Sequence, residues 1–245
     1  MKASALCLFL MIGGSLAFLR ENCDRSKCES LSTVREIESL RFMPNEEQLN
    51  RLCPRTIQYM NCLIETMETC AGQTLEQLST TGNATVAPIA KLIIDVRTLF
   101  NELCDETSNL HKDYVANIEC IRGYVPFGPR RCRQQVAEIA EDLLQNIDIG
   151  EDNGVKRAER TCLVDTFEIG CIVIGLGREC GDGAREMLAS VLLRLKHSVL
   201  AQIDCTNVPD TLGMKDKFLD ALDLSDDERS KFEIAFELTR TTRRR

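Results

Sequence analysis

Two stretches of the chain carry cysteine at helical intervals. In CPRTIQYMNCLIETMETC, Cys53, Cys62 and Cys70 stand nine and then eight residues apart, and in CLVDTFEIGCIVIGLGREC, Cys162, Cys171 and Cys180 stand nine and nine apart. Sulfur spaced in this way could bind a metal, run a redox cycle or form staples. Nine residues of α-helix rotate the chain by about 900°, which sends successive cysteines to opposite sides. Opposed thiols do not grip one ion, but they can tie a central helix to a neighbour on each flank. Zinc is the weaker reading for a second reason: no C-x2-C pair exists, and His111 and His197 have no cysteine or second histidine at ligand spacing. Neither a metal nor another cofactor is expected.

The other groups able to do chemistry are few. His111 and His197 are the candidates for a neutral-pH base, and neither is flanked by a nucleophile motif. Glu65 with Glu68, and Asp226, Asp227 and Glu228, could be paired carboxylates, yet helix faces and caps account for them. Gly175, Gly177, Gly181 and Gly183 resemble a phosphate cradle without its lysine or preceding strand, and they read as a loose turn between two helices. Catalytic residues are therefore assigned to none, and the chain reads as a non-enzyme.

The redox compartment follows from the N-terminus. Met1-Lys2, an apolar run from Ala3 to Ile12, Gly13-Gly14 and a Ser15-Leu16-Ala17 cleavage site read as a secretory signal peptide over residues 1–17. Its removal takes Cys7 and leaves an even set: Cys23, Cys28, Cys53, Cys62, Cys70, Cys104, Cys120, Cys132, Cys162, Cys171, Cys180 and Cys205. An exporting lumen oxidises such a set, so six disulfides are expected in a secreted, extracellular protein. No later stretch reaches the roughly 18 uninterrupted apolar residues that a membrane helix needs. The net charge of −8 argues against nucleic acid and against an anionic membrane as main partner. Asn83-Ala84-Thr85 is a glycan acceptor triplet in a polar stretch.

The elements that must hold these cysteines read as helices. Ile57, Met60, Ile64, Met67 and Ala71 recur at three or four residues, with Pro54 in a tolerant first turn and Gly72 past the end. Val86, Ile89, Ile93, Val96, Phe100 and Leu103 form a second stripe, and Leu31, Val34, Ile37 and Leu40 a shorter one. The second half answers with Val136, Ile139, Leu143 and Ile147, with Leu163, Phe167, Cys171 and Ile174, and with Met187, Val191, Leu195, Val199 and Ile203. Ser225 and Glu228 make a capping box before a last helix, and the chain ends in a tail, Thr239 to Arg245, closing on three arginines.

The expected fold is all-α: a disulfide-stapled helical bundle with two similar six-cysteine repeats, 18–110 and 111–206, and a charged C-terminal helix and tail, 207–245. Antiparallel three-helix halves predict Cys53 with Cys104, Cys28 with Cys70 and Cys23 with Cys62, and likewise Cys162 with Cys205, Cys132 with Cys180 and Cys120 with Cys171, one choice among fifteen per half. Lys156-Arg157 and Arg130-Arg131 could be cut by a prohormone protease, yet they lie between cysteines that should hold the pieces together.

Two functions remain, both extracellular. The segment Cys171 to Gly177 is apolar nearly all round and could line a cavity for a small apolar ligand, which makes the protein a carrier. Alternatively it is plain core, and the protein is an interaction or effector protein of immune, salivary or venom type that meets an extracellular protein through its surface. Ligand-binding residues are not assigned by either reading. Cys53 with Arg55, Cys62-Leu63 and Glu65, the helix ending at Cys104, and the run Cys162 to Cys180 with its long following helix resemble the 27-kilodalton haemolymph glycoprotein family of arthropods, over residues 53–205 at most. That resemblance implies a secreted glycoprotein of poorly defined role, with carriage as one reading of it, and brings no catalytic residues.

Overall fold

The computed structural model describes residues 26–41, 43–83, 86–145 and 153–195, with positions 220, 226 and 229. The signal peptide, Cys23, His197, Cys205, the Ser225 capping box, the arginine tail and the side chain of Cys162 lie outside the described residues. Every described element is a helix: α1 (Ser26–Glu29), α2 (Val34–Ser39), α3 (Glu46–Ala71), α4 (Leu75–Ser79), α5 (Val86–Cys104), α6 (Asn109–Tyr124), α7 (Gly128–Gln145), α8 (Asn153–Cys180) and α9 (Asp182–Arg194). The chain divides into two compact units, Met1–Glu119 and Cys120–Arg245, and the division falls inside α6.

In the first unit α3 is central. Its start is fixed by a capping box: the Gln48 N–H donates to Asn45 Oδ1 at 2.9 Å, and the Asn45 N–H donates to Gln48 Oε1 at 2.9 Å. Glu46 and Glu47 then place negative charge on the positive end of the helix dipole. The sequence pattern set this start at Pro54; the helix begins eight residues earlier and carries Pro54 in its interior. Pro54 cannot donate to the carbonyl of Asn50, but both residues are exposed, so water can take that place. The buried face accordingly runs from Leu49 and Leu52 through Met60, Leu63 and Ile64 to Met67, while Ala71 is exposed. Gly72, left-handed at φ 65°, ends the helix, and a second capping box on Thr74 and Gln77 opens α4. Leu63, Ile64, Met67, Leu75, Leu78, Ala90 and Ile93 close around Cys28. Leu49, Cys53, Tyr114 and Ile118 form a second cluster, over which the Tyr114 hydroxyl donates to Pro44 O at 2.7 Å.

In the second unit α8 takes the central place, packed on α7 and on α9. Phe167, Leu176 and Leu195 are fully buried, and Val136 of α7 meets no solvent. The glycines expected to make a loose turn do otherwise. Gly175 and Gly177 lie inside α8, and the turn is reduced to Gly181, whose φ of 84° suits glycine.

Four disulfides join described cysteines: Cys28–Cys62, Cys53–Cys104, Cys120–Cys180 and Cys132–Cys171. Cys70 is oxidised as well, to a partner outside the described residues. Cys53–Cys104 agrees with the expected pairing. Cys28 with Cys70, Cys23 with Cys62, Cys132 with Cys180 and Cys120 with Cys171 are overturned. The cause is the first helix of each half, which the sequence pattern treated as one rod reaching the far end of the central helix. In the first unit that rod is two short helices, and α1 packs beside the middle of α3 where Cys62 lies. In the second, Cys132 stands one turn into α7 and meets the middle of α8, while Cys120 belongs to α6 and meets the end of α8.

Candidate interaction site

The most organised surface feature is the turn between α6 and α7, residues 125–127, with the stretch of α8 beneath it. Both flanks of the turn are bolted to the same helix, Cys120 to Cys180 and Cys132 to Cys171. Backbone bonds continue the winding through it: the Val125 N–H donates to Ile121 O at 2.9 Å, the Phe127 N–H to Tyr124 O at 3.1 Å, and the Arg131 N–H to Phe127 O at 3.1 Å. Tyr124 pins the turn from below. Its ring lies so close to Gly128 that a Cβ there would overlap Cζ, and its Oη occupies the space beside Gly175, 2.5 Å from where a Cβ would be. The hydroxyl donates to the backbone oxygen of Ile172 at 3.2 Å. The glycine groove of α8, read from sequence as room for a ligand, is at this point filled by the chain's own tyrosine; beside Gly177 it is filled by Arg185, with Cδ at 3.2 Å.

Charge organises the same region. No Asp or Glu occurs from Cys120 to Ala137, while Arg122, Arg130, Arg131 and Arg133 do. Arg131 pairs with Glu179 of α8. Arg133 Nε donates to Glu168 Oε2 at 2.9 Å, and Glu168 is a carboxylate only 7% exposed. Removing a carboxylate from water is costly unless a cation and hydrogen bonds replace the water, and Arg133 supplies both. Burial pushes the Tyr124 phenol up to about 12, with the Glu179 carboxylate adding to the shift and Arg131 opposing it. The phenol thus keeps its proton, and its hydrogen bond, at any physiological pH. Above this base the Phe127 side chain stands out, 66% exposed, and it is the most exposed of the large apolar residues described.

The residues singled out by sequence scatter elsewhere. His111 is buried in the first unit, its Nδ1 2.8 Å from Leu103 O and its N–H donating to Ser108 Oγ at 3.0 Å. It closes the turn from α5 to α6. Glu68 accepts from the Leu75 N–H at 2.8 Å and so caps α4, while Glu65 is exposed. Asp226 is exposed, and its neighbours Asp227 and Glu228 lie outside the described residues. Arg55 of α3 pairs with Glu36 of α2 at 3.3 Å, alongside Arg51 at 2.9 Å. Asn83 is exposed, and its Oδ1 accepts from the Val86 N–H at 3.1 Å at the start of α5. Among the described residues no group of three or more His, Cys, Asp or Glu gathers as metal ligands would, and no helix is long and apolar enough to cross a membrane.

The features that sequence reading missed are Tyr124, Glu168 and Phe127. The acid-free, arginine-bearing run that contains Phe127 is the signal that could have found it. Compared with protein-family models, curated proteins and solved structures, the chain has no match.

Proposed function

We propose that this is a secreted, non-enzymatic binding protein that acts through its surface as a rigid, disulfide-stapled scaffold. One observation carries the choice of surface over cavity. The space beside Gly175 and Gly177, the glycines of the apolar α8 segment that could have opened a ligand chamber, is taken by Tyr124 and Arg185 of the same chain, so this part of α8 serves as a pillar to which its neighbours are fastened. The four disulfides among the described residues support the extracellular side of the reading, because bridges at this density persist where thiols are not kept reduced. The signal peptide at 1–17 and a glycan on the exposed Asn83 belong to the same proposal, as does kinship with the arthropod haemolymph glycoproteins, which rests on cysteine and helix spacing.

The test uses the full chain expressed in a secreting insect or mammalian cell. The product is expected in the medium with Phe18 at its N-terminus and with a mass that falls on enzymatic deglycosylation but not in an Asn83→Gln variant. Native mass spectrometry should then show protein without a stoichiometric small molecule. A retained lipid or other apolar ligand at one per chain would replace the surface reading by the carrier reading, and retention of the chain inside the cell would remove both.

A further inference from the structure

Resting on the surface-binding reading, we infer that the α6–α7 turn is the contact point, and that its partner is a protein presenting an apolar pocket rimmed by carboxylates. Three properties of the turn favour this. Phe127 is about two-thirds exposed on a turn otherwise built of buried or half-buried residues, and an isolated exposed ring of this kind has the form of an anchor that fills a partner's pocket. Arg130 is exposed one turn along from it, and among the described residues it has no ion-pair partner. The stretch between Glu119 and Glu138 is free of acid in a chain that carries 38 acidic residues, and although Glu179 and Glu168 of α8 offset Arg131 and Arg133, Arg130 is left to meet an acidic partner.

The turn is also held in place mechanically. Binding through a mobile loop costs ordering entropy at the moment of contact. Here that cost is already met in folding: Cys120–Cys180 and Cys132–Cys171 fasten both ends of the turn, Tyr124 locks its underside, and Arg131 and Arg133 are tied down to Glu179 and Glu168. The arginines bound to α8 hold the platform, and Phe127 and Arg130 face outward. An anionic lipid surface is the less suitable occupant, since the chain's overall charge of −8 opposes approach to a plane of like charge, whereas a protein pocket meets only the tip.

The experiment pans a phage-displayed library of random dodecapeptides on the full secreted protein, and the enriched pool is then screened, without prior depletion, on a Phe127→Ser, Arg130→Glu variant. Enriched peptides are then synthesised with a fluorophore and titrated by polarisation. The inference expects sequences in which carboxylates flank an aromatic or aliphatic residue. Their affinity should drop about tenfold or more for Phe127→Ala and for Arg130→Glu, fall as salt rises, and stay unchanged for Leu193→Ala, an exposed apolar control on α9. Circular dichroism and a non-reducing peptide map of each variant confirm that the fold is intact. Peptides that bind the double variant equally well would overturn the choice of site while leaving surface binding in place. Phe127-dependent binding to phosphatidylserine vesicles, or Phe127-dependent dimers in sedimentation, would overturn the choice of partner.

Discussion

At the scale of single residues, the tightest geometry surrounds Tyr124, and it makes two predictions. The phenol's ordinary value is 10.0 and the fold raises it to about 12, so the native state holds the proton more firmly than the unfolded chain does. The stability this contributes is complete below pH 10 and is lost as pH rises from 10 towards about 12, because the unfolded phenol ionises first. Phenolate absorbance of the native protein should show a component displaced to that high range, which Tyr124→Phe deletes; a Tyr124→Phe titration identical to wild type would refute the assignment. The second prediction concerns Gly175. An alanine methyl there would sit 2.5 Å from an oxygen already committed to Ile172 O, so the ring must move or α8 must bend. Gly175→Ala should cost about 1–3 kcal/mol in chemical denaturation. Gly123→Ala, on the same tyrosine's own helix and with nothing within 4 Å of the added atom, should be neutral or slightly stabilising.

At the scale of elements, what was legible in the sequence is what periodicity records. The buried stripe of α5 was read directly from Ile93 and Val96, and the α8 core from Phe167 and Ile174, because apolar residues recurring at three and four can be satisfied only by a helix with one dry face. Ends were less legible. The α3 start depends on an Asn–Gln box that offers a weaker pattern than Pro54 does, and α6 mixes His111, Lys112 and Asp113 into its first turns, so its stripe of Tyr114, Ile118 and Ile121 escaped notice. Missing α6 misplaced Cys120, and with it two bridges. The candidate site was barely legible, since a lone phenylalanine acquires meaning only when its exposure is known. The corrected bridges revive the repeat in a sharper form. Numbering each half's cysteines from one to six, the second joins the fourth in both halves, the third joins the sixth in the first, and the first joins the fifth in the second. Halves that are copies of one module require the complementary bonds, Cys23 with Cys70 and Cys162 with Cys205. A non-reducing peptide map that joins either of these cysteines to the opposite half would end the duplication hypothesis.

At the scale of the whole molecule, the four bridges each stay inside one compact unit, and inside the second unit they determine how the chain survives being cut. Arg130-Arg131 lies between Cys120 and Cys132, and Lys156-Arg157 lies after both but before Cys171 and Cys180. A break after Arg130 leaves Cys120 on the upstream piece, still joined to Cys180 downstream. A break after Arg157 leaves both Cys120 and Cys132 upstream, joined to α8 by two bonds. Limited digestion with a protease specific for basic residues, stopped when one such bond is broken, should therefore give a single band near full length on a non-reducing gel and two bands after reduction. The helical circular dichroism of the nicked product should persist, because the cut chain is still closed into loops whose unfolded forms lose entropy, a contribution of about 2–4 kcal/mol per bridge. Fragments that separate without reductant would show that α6 and α7 are not fastened to α8, and the rigid platform beneath Phe127 would have no physical basis.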